Sequence, residues 1–153
     1  MKKLLIAVLV TLFAFTIMAC ADSKDMDSSI HLLGKMEANL WESAAAVYFH
    51  IADHARESER IALNDYQDDI ETIDRVISTI ENLNLPDKEL AAITKIKNSW
   101  LSVKAMSNEL IKTDVAQEKV MPIVDSKLHR YWLAVEELDH LIDEEIHALA
   151  GEH

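Results

Sequence analysis

Apolar residues recur along this chain at alternating steps of three and four, and the chain has only two glycines and two prolines to interrupt them. This spacing places the apolar side chains on one face of an α-helix. A strand-rich domain would need many tight turns and the glycines and prolines that form them. The sequence therefore predicts an all-α domain, an antiparallel up-down-up-down four-helix bundle with long first and last helices.

Local turn signals divide this bundle. We predict the first helix over Ser29–Leu63 and a turn at Asn64–Asp65, because Asn64 and Gln67 have the spacing of a capping box. The segment Asn82–Asp87 is the clearest break, and its proline and aspartate suit the start of a third helix.

A last turn is predicted at Thr113–Asp114, before a fourth helix with Pro122 in or near its first turns. Links this short make consecutive helices antiparallel neighbours in the bundle.

The N-terminus has the features of a secretory signal peptide. Two lysines precede an unbroken apolar run that ends in Ile17-Met18-Ala19-Cys20. These four residues resemble the bacterial lipobox, whose cysteine is acylated and becomes the mature N-terminus. The resemblance implies a signal peptide over residues 1–19, a lipidated tether over residues 20–28 and the bundle over residues 29–153. The alternative is an uncleaved anchor, since the apolar span of residues 4–21 is near the short limit for crossing a bilayer.

Net charge and cysteine content limit which molecules the chain can bind and which side-chain chemistry it can use. Removing Lys2 and Lys3 with the signal leaves 13 basic and 27 acidic residues, a formal charge of −14. Nucleic acid and anionic lipid surfaces would repel such a chain, so we expect membrane attachment through the lipid alone. Acylation of Cys20 uses the one cysteine and excludes disulfides, thiolate metal ligands and cysteine nucleophiles. The expected location is a bacterial cell envelope, facing the periplasm or exterior, and Ala21 after the cysteine favours the outer membrane.

The pattern of helix lengths just outside a membrane resembles the four-helix-bundle sensor domain of bacterial chemoreceptors. The resemblance implies a module that binds a small molecule or a protein, with a dimer contact on the first helix. It departs from that family because no second membrane helix or signalling rod follows. We expect no enzymatic activity, because no nucleophile lies in a recognisable context. A structural adaptor is an alternative function.

The first helix carries a second apolar stripe, about 100° around from the first. One helix in a monomeric bundle needs only one apolar face, so the second stripe predicts a homodimer or a helical protein partner. The alternative is a wide apolar arc that belongs to the core, which accounts poorly for Phe49. The predicted interface consists of Ala38, Trp41, Ala45, Tyr48, Phe49 and Ala52.

A metal site is a further hypothesis. His50 and His54 are one helical turn apart and could share a divalent ion with Glu57. Copper or zinc usually takes three or four protein ligands, so a packed histidine pair is the simpler interpretation. No resident cofactor is expected otherwise, and an envelope protein that binds or sequesters copper or zinc is the alternative function.

A cationic pocket is the last candidate. Arg56 and Arg60 lie one turn apart, and antiparallel packing should bring His129 and Arg130 alongside them. Such a pocket could bind a carboxylate or phosphate through guanidinium groups. The alternative is pairing within the helix to Asp53 or Glu57.

The lipoprotein hypothesis makes a direct prediction. Replacing Cys20 by Ser should leave the precursor uncleaved by the lipoprotein peptidase and abolish acylation, because the thiol is the group that is modified. Metabolic labelling with a radioactive fatty acid measures the result. Normal labelling of the variant would contradict the hypothesis.

Overall fold

The computed structural model describes residues 2–52, 56–112 and 121–151, and the side chains of residues 24–51, 63–112 and 125–151. It contains four α-helices, and the described part of the chain has no strand. The first and last helices are the longest, with 51 and 30 residues against 25 for each of the others. The predicted all-α four-helix bundle is confirmed. The helices are α1 (Lys2–Ala52), α2 (Arg56–Ile80), α3 (Asp87–Ile111) and α4 (Met121–Ala150).

Contacts at the two ends of the bundle establish its topology. The backbone N–H of Asn84, between α2 and α3, donates to Asp25 Oδ2 near the start of the bundled part of α1, at 3.2 Å. At the other end, His50 Nε2 on α1 donates to the carbonyl oxygen of Ile111 on α3, at 3.1 Å. Helices α1 and α3 therefore run in one direction, and α2 and α4 in the other. Helix α1 packs against both α2 and α4, while α3 packs mainly against α4.

One continuous core fills the space between the helices. Its members recur at helical spacing on every helix, which is why the apolar pattern of the sequence predicts the bundle. Trp100 is buried in this core, and its Nε1 donates to Asp74 Oδ1 at 2.8 Å, so the indole N–H is satisfied. The largest fully buried side chains are Trp100, Tyr131, Leu33, Met36, Leu40, Ile73, Ile80, Ile93, Ile96, Leu110, Leu138 and Ile142.

The predicted turn at Asn64–Asp65 is wrong. Helix α1 ends at Ala52, and α2 runs without a break from Arg56 through this position. Gln67 does not cap a helix, because its Nε2 donates to Glu71 Oε1 one turn further along, at 3.0 Å. Asn64 and Asp65 are exposed, and short polar side chains at exposed positions are tolerated inside a helix at modest cost. The predicted turn at Thr113–Asp114 lies outside the described residues.

The predicted break before Pro86 and the predicted place of Pro122 in the first turns of the fourth helix fit the structure. Pro86 is the N-cap of α3, and the backbone N–H of Leu90 donates to its carbonyl oxygen at 3.0 Å. Pro122 is the second residue of α4, where proline is tolerated because its missing N–H has no partner in a helix anyway.

Helix α1 continues through the predicted tether at residues 20–28. Met26 in this segment packs against the core, so at least part of the segment belongs to the bundle. Ser29 is buried inside the helix and does not cap it. Among the residues whose side chains are described, no helix is long and apolar enough to cross a membrane.

Glu145 is a carboxyl group on the core side of α4, with only 7% of its surface exposed. Its Oε1 has no hydrogen-bond partner among the described residues. Burial, and then the nearby Glu89 carboxylate, raises the pKa of Glu145 to about 7, against a lowering effect of Lys88. Because the folded protein binds this proton more tightly than the unfolded chain, stability falls as pH rises from about 4.5 to about 7.

Replacing Glu145 by Gln should therefore stabilise the domain at pH 8. At about 1.4 kcal/mol per pKa unit, the shift from about 4.5 to about 7 corresponds to roughly 3 kcal/mol. Solvent screening of this carboxyl reduces the expected gain in the free energy of unfolding to on the order of 2 kcal/mol. The gain should shrink at pH 5, where the carboxyl is already protonated. Urea unfolding at pH 5 and pH 8 measures the free energy of unfolding. Glu136→Gln, on the exposed face of α4, is the control for loss of charge. An unchanged stability of the Glu145 variant at pH 8 would contradict this account.

Candidate functional site

Large apolar side chains are exposed on one short stretch of α1. Trp41, Tyr48 and Phe49 have 36%, 51% and 59% of their surface exposed. The other exposed large apolar side chains among the described residues are Leu101 on α3 and Leu133 on α4, one on each helix. Helix α1 therefore concentrates apolar surface in a way the other helices do not.

The helical geometry of α1 explains this exposure. Leu40, Ala44, Val47 and Ile51 are buried at steps of three and four and fix which face points into the core. At 100° per residue, Trp41 and Tyr48 then lie on the flank, and Phe49 lies opposite the core.

The predicted second stripe is thus on the surface. Ala38 and Ala45 are exposed between the aromatic residues, and the side chain of Ala52 lies outside the described residues. The exposed alanines leave the helix backbone accessible for close approach.

Contacts with α4 extend this surface across the helix boundary. Trp41 packs edge-on against Trp132 of α4, with ring centroids 5.7 Å apart and an interplanar angle of 65°. Trp41 Nε1 also donates to Asp139 Oδ1 at 2.8 Å, which fixes the indole in place. Tyr48 and Phe49 contact each other edge-on at 6.3 Å. We name the surface formed by Trp41, Ala45, Tyr48, Phe49 and Trp132 the aromatic face.

A pocket of about 310 Å³ lies at one edge of the aromatic face, between α1 and α4. Its volume falls at the lower end of the range for small-molecule sites. Sequence reasoning missed the contribution of α4, although residues 125, 128 and 132 have the spacing of one helix flank. The pocket is lined by Tyr48, Asp125, Leu128, His129 and Trp132.

The boundary between α1 and α4 is acidic. Burial, and then the carboxylates of Asp139 and Asp143 across the boundary, raises the pKa of Glu37 on α1. The basic side chains Lys127 and Arg130 of α4 instead line a depression of about 220 Å³ toward α3. Lys127 Nζ contacts Glu109 Oε1 there at 2.6 Å. Negative potential is therefore concentrated on the α1 side of α4.

The predicted cationic pocket is described only at His129 and Arg130, which line different depressions. His129 lines the pocket between α1 and α4, whereas Arg130, one residue further along, lines the depression toward α3. Adjacent residues on a helix differ by 100°, and this angle separates their side chains. The side chains of Arg56 and Arg60 lie outside the described residues.

The predicted metal ligands are described only in part. His50 is buried, and its Nε2 binds the carbonyl oxygen of Ile111 at the end of α3, so it links the two helices. The side chains of His54 and Glu57 lie outside the described residues. Among those that are described, no group of three His, Cys, Asp or Glu side chains is placed to hold a metal ion.

Hydrogen-bonded polar side chains connect two helices inside the bundle. The Tyr66 hydroxyl and Ser107 Oγ are hydrogen-bonded at 2.6 Å, and Ser107 Oγ is also bonded to the carbonyl oxygen of Lys104 at 3.0 Å. This chain of hydrogen bonds connects α2 to α3. Burial raises the pKa of the neighbouring Tyr131 hydroxyl well above its usual range.

Comparison with known proteins adds no analogue of this site. No protein family, no curated protein and no solved structure matches the chain. The aromatic face and the pocket at its edge are therefore the strongest indications of what this bundle does.

Proposed function

We propose that this chain is a non-enzymatic binding module of the bacterial cell envelope, anchored through a lipid on Cys20, and that it binds through the aromatic face. The observation that carries the proposal is the exposure of Trp41, Tyr48 and Phe49 within nine residues of α1. The four-helix bundle and the lipobox-like sequence support a sensor-like domain held close to a membrane.

Exposed aromatic side chains at this density favour association. Contiguous apolar patches on soluble domains mark interaction sites, and tryptophan, tyrosine and phenylalanine are enriched there. Covering Phe49 alone would contribute about 1.5–3 kcal/mol. Trp41 and Tyr48 would add broad contact surfaces on the same side of the helix.

A second copy of this chain is the partner we propose. Exposed Ala38 and Ala45 allow two α1 helices to approach closely, and a symmetric pair would place each alanine near its own copy. Lipid anchors on one membrane would hold both copies in a thin layer and raise their effective concentration.

Electrostatics restricts where two copies can meet. The chain has a formal charge of −12, so two copies repel each other over most of their surface. The exposed side of α1 between residues 35 and 49 carries one lysine, Lys35, and one glutamate, Glu42, and is otherwise largely apolar. This near-neutral side is where the repulsion between two copies is smallest.

A single substitution tests the proposed contact. Ala45→Glu should convert a dimer into a monomer, because it places two like charges together in a desolvated interface. Sedimentation equilibrium of residues 21–153, which lack the lipid, measures the mass at tens of micromolar. Ala105→Glu, at an exposed alanine in the middle of α3, is the matched control and should remain dimeric.

Helix content by circular dichroism should be the same in both variants, since position 45 is exposed. A monomeric native chain, or an Ala45→Glu variant that remains dimeric, would contradict the proposal.

A further inference from the structure

The pocket between α1 and α4 has walls of two chemical kinds. Tyr48 from α1 and Trp132 and Leu128 from α4 form an apolar, largely aromatic wall. Asp125 and His129 stand one turn apart on α4 at the same pocket, and both are exposed. A ligand in the pocket would contact aromatic rings and a carboxylate at once.

The aromatic wall is held in position by its neighbours. Trp132 packs against the edge of Trp41, and the indole N–H of Trp41 is bound to Asp139. Two contacts therefore restrict how the wall can move, and part of the ordering cost of binding is already met in the free protein.

The surrounding charge selects among possible ligands. Asp125 lies at the pocket, and Glu37, Asp139 and Asp143 lie further along the same helix boundary. An anion would be repelled by the Asp125 carboxylate at the pocket, whereas the carboxylates further along the helix contribute little because salt screens them. Small inorganic cations would gain little from the apolar wall, because they would lose water without finding enough oxygen ligands. An organic cation satisfies both kinds of wall, since ammonium groups bind the faces of aromatic rings and pair with carboxylates.

We propose that this pocket binds a small organic cation, an ammonium ion that carries an apolar or aromatic group. The inference rests on the proposed function, since both assign binding to the surface where α1 meets α4. The pocket shares Tyr48 and Trp132 with the aromatic face, but Asp125, which is tested for the ligand, is not part of that face, and Ala45, which is tested for the dimer, does not line the pocket. The aromatic faces of Tyr48 and Trp132 receive the cation, and Asp125 supplies the opposite charge.

The indole resonances provide a direct measurement. The chain has three tryptophans, so a nitrogen–proton correlation spectrum of residues 21–153, produced without the signal sequence and Cys20, should show three indole signals. The probe is benzyltrimethylammonium chloride, titrated at constant ionic strength and pH 8, above the range in which imidazoles take up a proton.

We expect the Trp132 signal to shift in a saturable way. The Trp100 signal should stay fixed because that residue is buried and bound to Asp74.

Two comparisons separate the contribution of the ligand's charge to binding from the contribution of its apolar contacts. The neutral probe 2-phenylethanol should bind at least about fivefold more weakly than benzyltrimethylammonium. Asp125→Asn keeps the shape of the pocket and should weaken binding of the cation about fivefold without affecting the neutral probe. Asp27→Asn, an exposed aspartate on the bundled part of α1 far from residue 125, removes the same charge and should leave both affinities unchanged.

Absence of a saturable Trp132 shift at about 10 mM cation would overturn the proposal. Equal affinities for the two probes, or an unchanged affinity in Asp125→Asn, would overturn the assignment of a cation. Ala45→Glu should bind the cation as the native chain does. A native chain that is monomeric and binds the cation would contradict only the proposed dimer. A native chain that is dimeric and fails to bind it would contradict only the proposed ligand.

Discussion

The packing of α1 between α2 and α4 is the constraint on which the rest of the structure depends. Its buried residues at steps of three and four, from Leu33 to Ile51, fix the rotation of the helix about its own axis. Once that rotation is fixed, every other side chain of α1 has an assigned direction. The flank toward α4 receives Trp41 and Tyr48, and the side opposite the core receives Phe49. The exposed aromatic residues are thus a consequence of how the core is filled.

This arrangement also places different chemical groups on the two sides of α4. On the α3 side of α4, Lys127 and Arg130 lie close to Glu109, and opposite charges balance. On the α1 side, Asp139 orients Trp41, and neither lysine nor arginine is found among the described residues that line the pocket. Aromatic rings next to carboxylates form a surface suited to apolar and cationic partners. A single helix therefore presents two faces of different character because adjacent residues point 100° apart.

The sequence predicts the fold well because a helical bundle depends on the periodic spacing of apolar residues. Apolar spacing, scarce glycine and the prolines at 86 and 122 define four helices and two of their starts. The end of α1 at Ala52 was placed too late, because the sequence has neither glycine nor proline at residues 53–55, while Asn64 and Asp65 gave a false turn signal on an exposed helix surface. The α1 half of the aromatic face was predicted from its heptad spacing. Its α4 half was not, since Trp132 follows the core residue Tyr131 directly and only the packed structure shows which helix it meets.

Central to this account is the claim that the aromatic face is covered by a second copy in the cell. A photoactivatable phenylalanine analogue at position 49, in the intact envelope, tests it most directly. The same analogue at Leu133 is the control, since that residue is exposed to a similar degree on α4. The account predicts a cross-linked species of twice the monomer mass from position 49 and none from position 133. No such species from position 49, or equal yields from both positions, would contradict it.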